Sequence, residues 1–285
     1  MIKIELEHKF IETNGINLHV TFSGPSDGEP VIFLHGFPES WFGWENQIAF
    51  LANKGFRVIV PDQRGYNLSD KPKGKKNYHM EIIVQDLLGL ADNLNLNLKS
   101  FNLVGHDFGA MVSWWTAIYY PERIKKLVIS NVPHPKVMRD FVKRNFAQIR
   151  KSWYAFFFRI PKLPEIFVRA RNWKFLTSAL AEGLSEEQLN RYREAWGQPN
   201  AITSMINWYR MFGKKFSTKT DSFTVKVPTK ILWGKQDPHI SYRMAELSVS
   251  MCEKCELITF DEASHWVQHD EPEEFNKQLL KFLED

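Results

Sequence analysis

Cysteine is nearly absent from this chain: Cys252 and Cys255 are the two among 285 residues. That excludes a disulfide scaffold and fits a reducing cytoplasm. No second Cys-X-X-Cys accompanies the pair, so a zinc site is not expected, and the pair lacks the strand–helix setting of a redox motif. His8, His19, His79, His106, His134, His239 and His269 form no metal-ligand spacing. No phosphate loop or nucleotide fingerprint is present, so no metal and no cofactor are expected. No uncharged apolar run approaches the ~20 residues of a membrane span. The start, Met1-Ile2-Lys3-Ile4-Glu5-Leu6-Glu7, carries charges where a signal peptide needs an apolar core. The net charge is only +4, too little to imply nucleic acid as a partner. There is no internal repeat and no low-complexity tract.

What is there is a large apolar content, 44% of residues, enough for one large domain or a domain with an insertion. Two strand-like runs over 8–23 flank Thr13-Asn14-Gly15, a hairpin signal. Val31-Ile32-Phe33-Leu34, Arg57 to Asp62, Phe101 to Val104 and Ile124 to Ser130 read as buried strands. Helices are predicted between them, one from an N-cap at Ser40 to about Lys54 and one around 79–94. Strands alternating with helices predict a parallel sheet covered on both faces.

After Asn131 the rhythm breaks. Residues 134–221 show helical patterns and no convincing strand. Met138, Val142, Phe146, Ile149 and Trp153 are spaced as one apolar helix face. Ser185-Glu186-Glu187-Gln188 is a capping box, with Leu184 and Leu189 as its staple. A further helix runs from about Asn200 to Phe212. The alternating pattern then resumes at Thr229, with a helix near 240–251, a strand from Glu256 to Phe260 and a last helix over 272–283. The expected organisation is a core of residues 1–133 and 222–285 with an all-helical cap, 134–221, over the edge where such sheets bind ligands.

The chemistry centres on Gly105-His106-Asp107-Phe108-Gly109, set between a strand and an apolar helix. This is the layout of a nucleophile elbow, with Asp107 where serine usually stands. Asp237 and His265 follow, each just after a strand, in the chain order nucleophile, acid, histidine. His35-Gly36-Phe37-Pro38 ends another strand, so the Phe37 and Phe108 N–H groups are the candidate oxyanion hole. A carboxylate needs no base to become a nucleophile, because its pKa is ~4. It can displace a leaving group from saturated carbon and form an ester. A serine would leave an ether that water does not readily cleave. His265, held by Asp237, can then deprotonate a water that hydrolyses the ester. A halide leaving group needs only weak donors such as indole N–H. An epoxide oxygen becomes an alkoxide and needs true acids. Tyr154 and Tyr209, both in the helical insert, have phenols that stay protonated at pH 7 and can donate.

These motifs resemble the epoxide hydrolase family of α/β-hydrolases, over nearly the whole length from about residue 8. The likeness rests on His35-Gly36-Phe37-Pro38, Asp62-Gln63-Arg64-Gly65-Tyr66 with Ser69-Asp70-Lys71-Pro72, and Gly105 to Gly109. Ser152-Trp153-Tyr154, Asn207-Trp208-Tyr209-Arg210, Trp233-Gly234 with Asp237, and Ser264-His265-Trp266 extend it. The resemblance implies an α/β-hydrolase fold with a mostly parallel eight-stranded sheet. It further implies that Asp107 attacks the epoxide, that Tyr154 and Tyr209 polarise its oxygen, and that Asp237 and His265 activate the water. It implies a cis bond before Pro38. Asn67 departs from the family's usual glycine, a change asparagine tolerates because it accepts left-handed geometry.

Haloalkane dehalogenases share the aspartate but usually carry tryptophan after it; here that residue is Phe108. Fluoroacetate dehalogenases carry arginines that clamp a carboxylate, and neither rival has this tyrosine pair. A ligand-binding receptor of the same fold with little turnover is a further alternative. Trp153, Phe158, Met205, Trp266 and His106 are candidates to contact the substrate, an apolar or lipid-like epoxide. Between Lys136 and Lys174 eleven lysines and arginines face two acids, a local charge of +9 that leaves −5 for the rest. That basic segment suggests attraction of anionic epoxides or peripheral contact with an acidic membrane surface. The protein is expected to be a cytoplasmic monomer or homodimer.

Overall fold

A computed structural model describes residues 5–94, 99–216, 220 and 222–285. The charged start Met1 to Ile4 and the predicted boundary at 221 lie outside the described residues. The strands are β1 (Glu7–Thr13), β2 (Ile16–Ser23), β3 (Pro30–Leu34), β4 (Arg57–Pro61), β5 (Phe101–His106), β6 (Ile124–Ser130), β7 (Thr229–Gly234) and β8 (Cys255–Phe260). They form one eight-stranded sheet in the order β1-β2-β4-β3-β5-β6-β7-β8. Only β2 runs antiparallel to its neighbours; the remaining pairs are parallel. β1 and β2 turn through Asn14 and Gly15, both at positive φ, the geometry a two-residue hairpin requires.

Before the insert the helices are α1 (Glu45–Ala52), α2 (Met80–Asn93) and α3 (Phe108–Tyr119). Between β6 and β7 come α4 (Pro135–Val142), α5 (Phe146–Lys151), α6 (Trp153–Phe157), α7 (Leu163–Thr177), α8 (Glu186–Gly197) and α9 (Ala201–Met211). The remainder are α10 (Arg243–Val249), α11 (Val267–Asp270) and α12 (Pro272–Glu284).

The inner strands β3, β4 and β5 are buried along their length because both faces of the sheet are covered there. Val31, Phe33, Val58, Val60, Val104 and Val128 join the core under α1 and α12. Their neighbours Ile32, Leu34, Ile59, Leu103 and Leu127 join the core under α2, α3 and the helices of the insert. Phe275, Leu279 and Leu283 recur every four residues on α12 and are buried. Each such side chain contributes about 2 kcal/mol by leaving water.

Two helix expectations need correction. Ser40 does not cap a continuous helix. Its carbonyl accepts from the Gly43 N–H and starts a 3-10 turn over Trp41–Trp44, and α1 begins only at Glu45. The face from Met138 to Trp153 is not one helix either. The Asn145 side chain accepts from the Gln148 N–H and starts a new helix, so the run breaks into α4, α5 and α6. Phe146 consequently points outward, 80% exposed. By contrast, the Ser185–Gln188 capping box of α8 is fully formed, with both reciprocal bonds present.

Candidate active site

Asp107 sits at the β5–α3 junction with φ 48° and ψ −121°. Such a backbone costs on the order of 1–3 kcal/mol and persists only where its surroundings hold it. Glycine is required on both sides of that crossing. A Cβ on Gly109 would run into the Leu34 and His35 carbonyls, and one on Gly36 into the Asp107 side chain. The turn therefore presses the Asp107 side chain against the end of β3. There the Phe37 N–H donates to Asp107 Oδ1 at 2.8 Å. Phe108 is the first residue of α3, where an N–H has no intrahelical acceptor. The Phe37–Pro38 peptide bond is cis. Asn67 takes the left-handed conformation at φ 38°, and its amide donates to Asp62.

Asp237 and His265 arrive from the loops after β7 and β8. His265 Nδ1 donates to Asp237 Oδ2 at 2.7 Å, and His265 Nε2 lies 3.7 Å from Asp107 Oδ2. Asp237 and His265 are buried, and the Asp107 side chain keeps 19% of its surface exposed. Burial pulls the His265 pKa down, but the Asp237 and Asp107 charges outweigh it and hold it up, at about 10. Burial pushes Asp107 up, and the adjacent His265 imidazolium brings it below the ordinary carboxylate value. The same balance lowers Asp237.

Two phenols of the insert pack near the ends of β3 and β5. The Tyr209 ring meets Phe37 and Phe108 edge-on, with centroids at 5.2 and 4.7 Å. The Tyr154 ring meets Tyr209 edge-on at 6.0 Å. Burial and then the Asp107 charge raise the pKa of both, so both stay protonated. Neither hydroxyl has a hydrogen-bond partner among the described residues. Phe158, fully buried, packs on Phe37, Tyr154 and Tyr209. Met205 is buried in the same core, and the Trp266 ring lies against His265 at 5.3 Å. Two proposed contacts are corrected. Trp153 is 53% exposed, with its ring against Phe157 and Phe175, because α6 starts afresh at this residue. His106 is wholly buried and turned away: Nε2 donates to the His265 carbonyl and Nδ1 accepts from Gln268.

Three residues at the site escaped the sequence reading. Asn131, at φ 50° just after β6, donates to Asp237 Oδ2 at 2.9 Å, and its Oδ1 accepts from the Gly234 N–H. Glu39, buried behind the elbow, accepts from the Tyr192 hydroxyl and contacts His269 Nε2 at 2.7 Å. Burial pushes Glu39 up, but His269 and His106 hold it far below the usual carboxylate range. The Tyr66 hydroxyl is buried without a partner among the described residues. Nothing in local periodicity marks Asn131 or Glu39; Tyr66 belongs to the Asp62-Gln63-Arg64-Gly65-Tyr66 motif, which by itself gives it no role at the site.

A mostly parallel sheet, a strained acidic elbow and a carboxylate-held histidine behind it define an α/β-hydrolase with aspartate at the elbow. The family model for the alpha/beta hydrolase fold matches residues 29–272. The chain is 41% identical to the AB hydrolase superfamily protein YfhM of Bacillus subtilis (strain 168), over 96% of this chain and 97% of that protein. It is 33% identical to epoxide hydrolase 2 of Caenorhabditis elegans, over 97% of this chain and 79% of that protein. It also resembles the crystal structure of Bacillus megaterium epoxide hydrolase in complex with an inhibitor, with TM-score 0.89 and 30% identity. That match covers 97% of this chain and 100% of the other. The chain belongs to the epoxide hydrolase family of the α/β-hydrolase superfamily.

Proposed function

We propose that this protein converts apolar epoxides to vicinal diols through an ester on Asp107. The observation that carries it is the edge-on stacking of two protonated phenols, Tyr154 and Tyr209, above the Phe37 and Phe108 loops that flank the carboxylate. In the first step Asp107 Oδ2 attacks an epoxide carbon. Oδ1 is the oxygen already engaged by the Phe37 N–H, which leaves Oδ2 as the attacking atom. The ring C–O bond breaks, its electron pair goes to oxygen, and the two hydroxyls donate to that oxygen as it gains charge.

Esterification removes the Asp107 charge that helps keep His265 protonated, so the imidazole pKa falls. Its proton ends on the new alkoxide. Neutral His265, oriented by Asp237, then takes a proton from water. Hydroxide adds to the ester carbonyl, and the oxyanion is met by the Phe37 and Phe108 N–H groups. Collapse expels the diol oxygen, which takes a proton from His265. Asp107, now a carboxylic acid carrying the hydroxyl from water, passes its proton to the imidazole, and the carboxylate–imidazolium pair is restored. The helices of residues 134–221 serve as a cap on the core of residues 1–133 and 222–285. The aromatic surroundings of Asp107 favour apolar substrates.

His265→Gln leaves the first step possible and blocks the second. Incubation with styrene oxide is expected to add one substrate mass to the peptide that holds Asp107. The reading fails if that variant gains no adduct while the unaltered protein forms styrene glycol. It also fails if the unaltered protein releases halide from haloalkanes and forms no diol.

A further inference from the structure

Eleven large apolar side chains are exposed among the described residues, and seven of them lie between Phe146 and Phe167. Phe146 and Ile166 are the most exposed, at 80% and 68%. The seven project from α5, α6, the turn after α6 and the first half of α7. The Phe157 ring packs on Phe167 at 5.2 Å, so α6 and α7 present their outer residues side by side. Scattered single apolar residues need no explanation, but a run of this density does.

The same stretch is basic. Nine exposed lysines and arginines lie between Lys143 and Lys174, and none pairs with a carboxylate among the described residues. The two acids nearby are engaged: Asp140 with Lys136 and Arg139, and Glu165 with Arg210. Beside the patch lies a cleft of about 480 Å³ whose lining includes Lys75, Lys76, Arg159 and Lys214. Residues 136–174 carry a net charge of +9 against −5 for the rest of the sequence, so the segment that holds the exposed aromatics is also the basic one.

We propose that the outer face of residues 143–174 docks on anionic lipid bilayers. Aromatic and aliphatic side chains enter the boundary between headgroups and acyl chains, while the lysines and arginines meet lipid phosphates. No described helix is long and apolar enough to cross a membrane, so the contact is peripheral. A protein partner would have to offer acids and an apolar surface together; an anionic bilayer supplies both at every point. The consequence rests on the proposed function, although the binding does not. Tyr154 lies on α6 between the exposed Trp153 and Phe156, so docking brings the site to membrane-dissolved apolar epoxides.

The test is flotation of the full chain with phosphatidylcholine vesicles, with and without phosphatidylglycerol. Binding is expected to be about tenfold stronger to the anionic vesicles and to be reversed by salt. Phe146→Ser with Ile166→Ser, and separately Lys143→Glu with Arg144→Glu, should each weaken it about fivefold or more. Styrene oxide turnover in detergent-free buffer should be unchanged in both variants. Equal partition into the two vesicle types, absence of binding, or unaltered binding by both variants would overturn the proposal. So would a concentration-dependent dimer, seen by sedimentation velocity, that the Phe146/Ile166 variant abolishes, because the patch would then belong to a second copy. Vesicle binding without any epoxide turnover would sink the catalytic reading and leave this one standing.

Discussion

His265 Nδ1 lies 2.7 Å from Asp237 Oδ2 in a site almost closed to solvent. The folded pKa of His265, about 10, exceeds its ordinary value of ~6.5. A group raised in this way stabilises the fold fully below ~6.5, and that contribution is lost as pH rises through about 10. Melting temperature should therefore decline across that window. In Asp237→Asn the decline should be shallower, because the charge that raises the imidazole is gone. Identical pH dependence in the two proteins would show that His265 is not held protonated.

The two cap phenols should act together. Tyr154→Phe or Tyr209→Phe alone should lower kcat for styrene oxide by about 100-fold, in the range of a lost general acid. The double variant should leave no measurable ring opening. Melting temperatures should stay close to that of the unaltered protein, since neither hydroxyl is bonded to protein among the described residues. Near-normal turnover by the double variant would mean that another group protonates the leaving oxygen.

Asn131 bridges the ends of β6 and β7 and steadies the carboxylate behind His265. Losing one such bond is worth about 1 kcal/mol, so Asn131→Ala should slow turnover several-fold to tenfold. The second step should bear the loss. Rapid-quench mass spectrometry should find more ester at steady state than in the unaltered protein. A slower first step with no extra ester would place Asn131 elsewhere in the reaction.

Gly109 allows α3 to touch the Leu34 and His35 carbonyls. Backbone atoms cannot swing aside as a side-chain tip can. Gly109→Ala should cost about 1–3 kcal/mol of stability and displace Asp107. Urea unfolding measures the loss; an unchanged midpoint would mean the crossing is looser than the contact implies.

The central strands were legible because they are short apolar runs covered on both faces, as at Val31–Leu34 and Val58–Val60. Asp107, Asp237 and His265, which the structure brings together, could be singled out because each lies a few residues after such a run. The insert was harder to read. Met138 to Trp153 keeps a helical period, yet a single asparagine cap at Asn145 breaks it, since one local side-chain bond outweighs spacing. Trp153 looked like a substrate contact by its place beside Tyr154, and the break turned it outward.

By itself the sequence determined the acidic residue at the elbow, the alternating α/β architecture and the helical character of the insert. Those follow from side-chain chemistry and from periodicities a few residues long. Only the tertiary structure decided that Asn131 reaches Asp237, that His106 serves His265 from behind, and which aromatic rings face Asp107 or water. These contacts join residues far apart in the chain, and they depend on how twisted strands and packed helices bring their ends together, which no short-range pattern records.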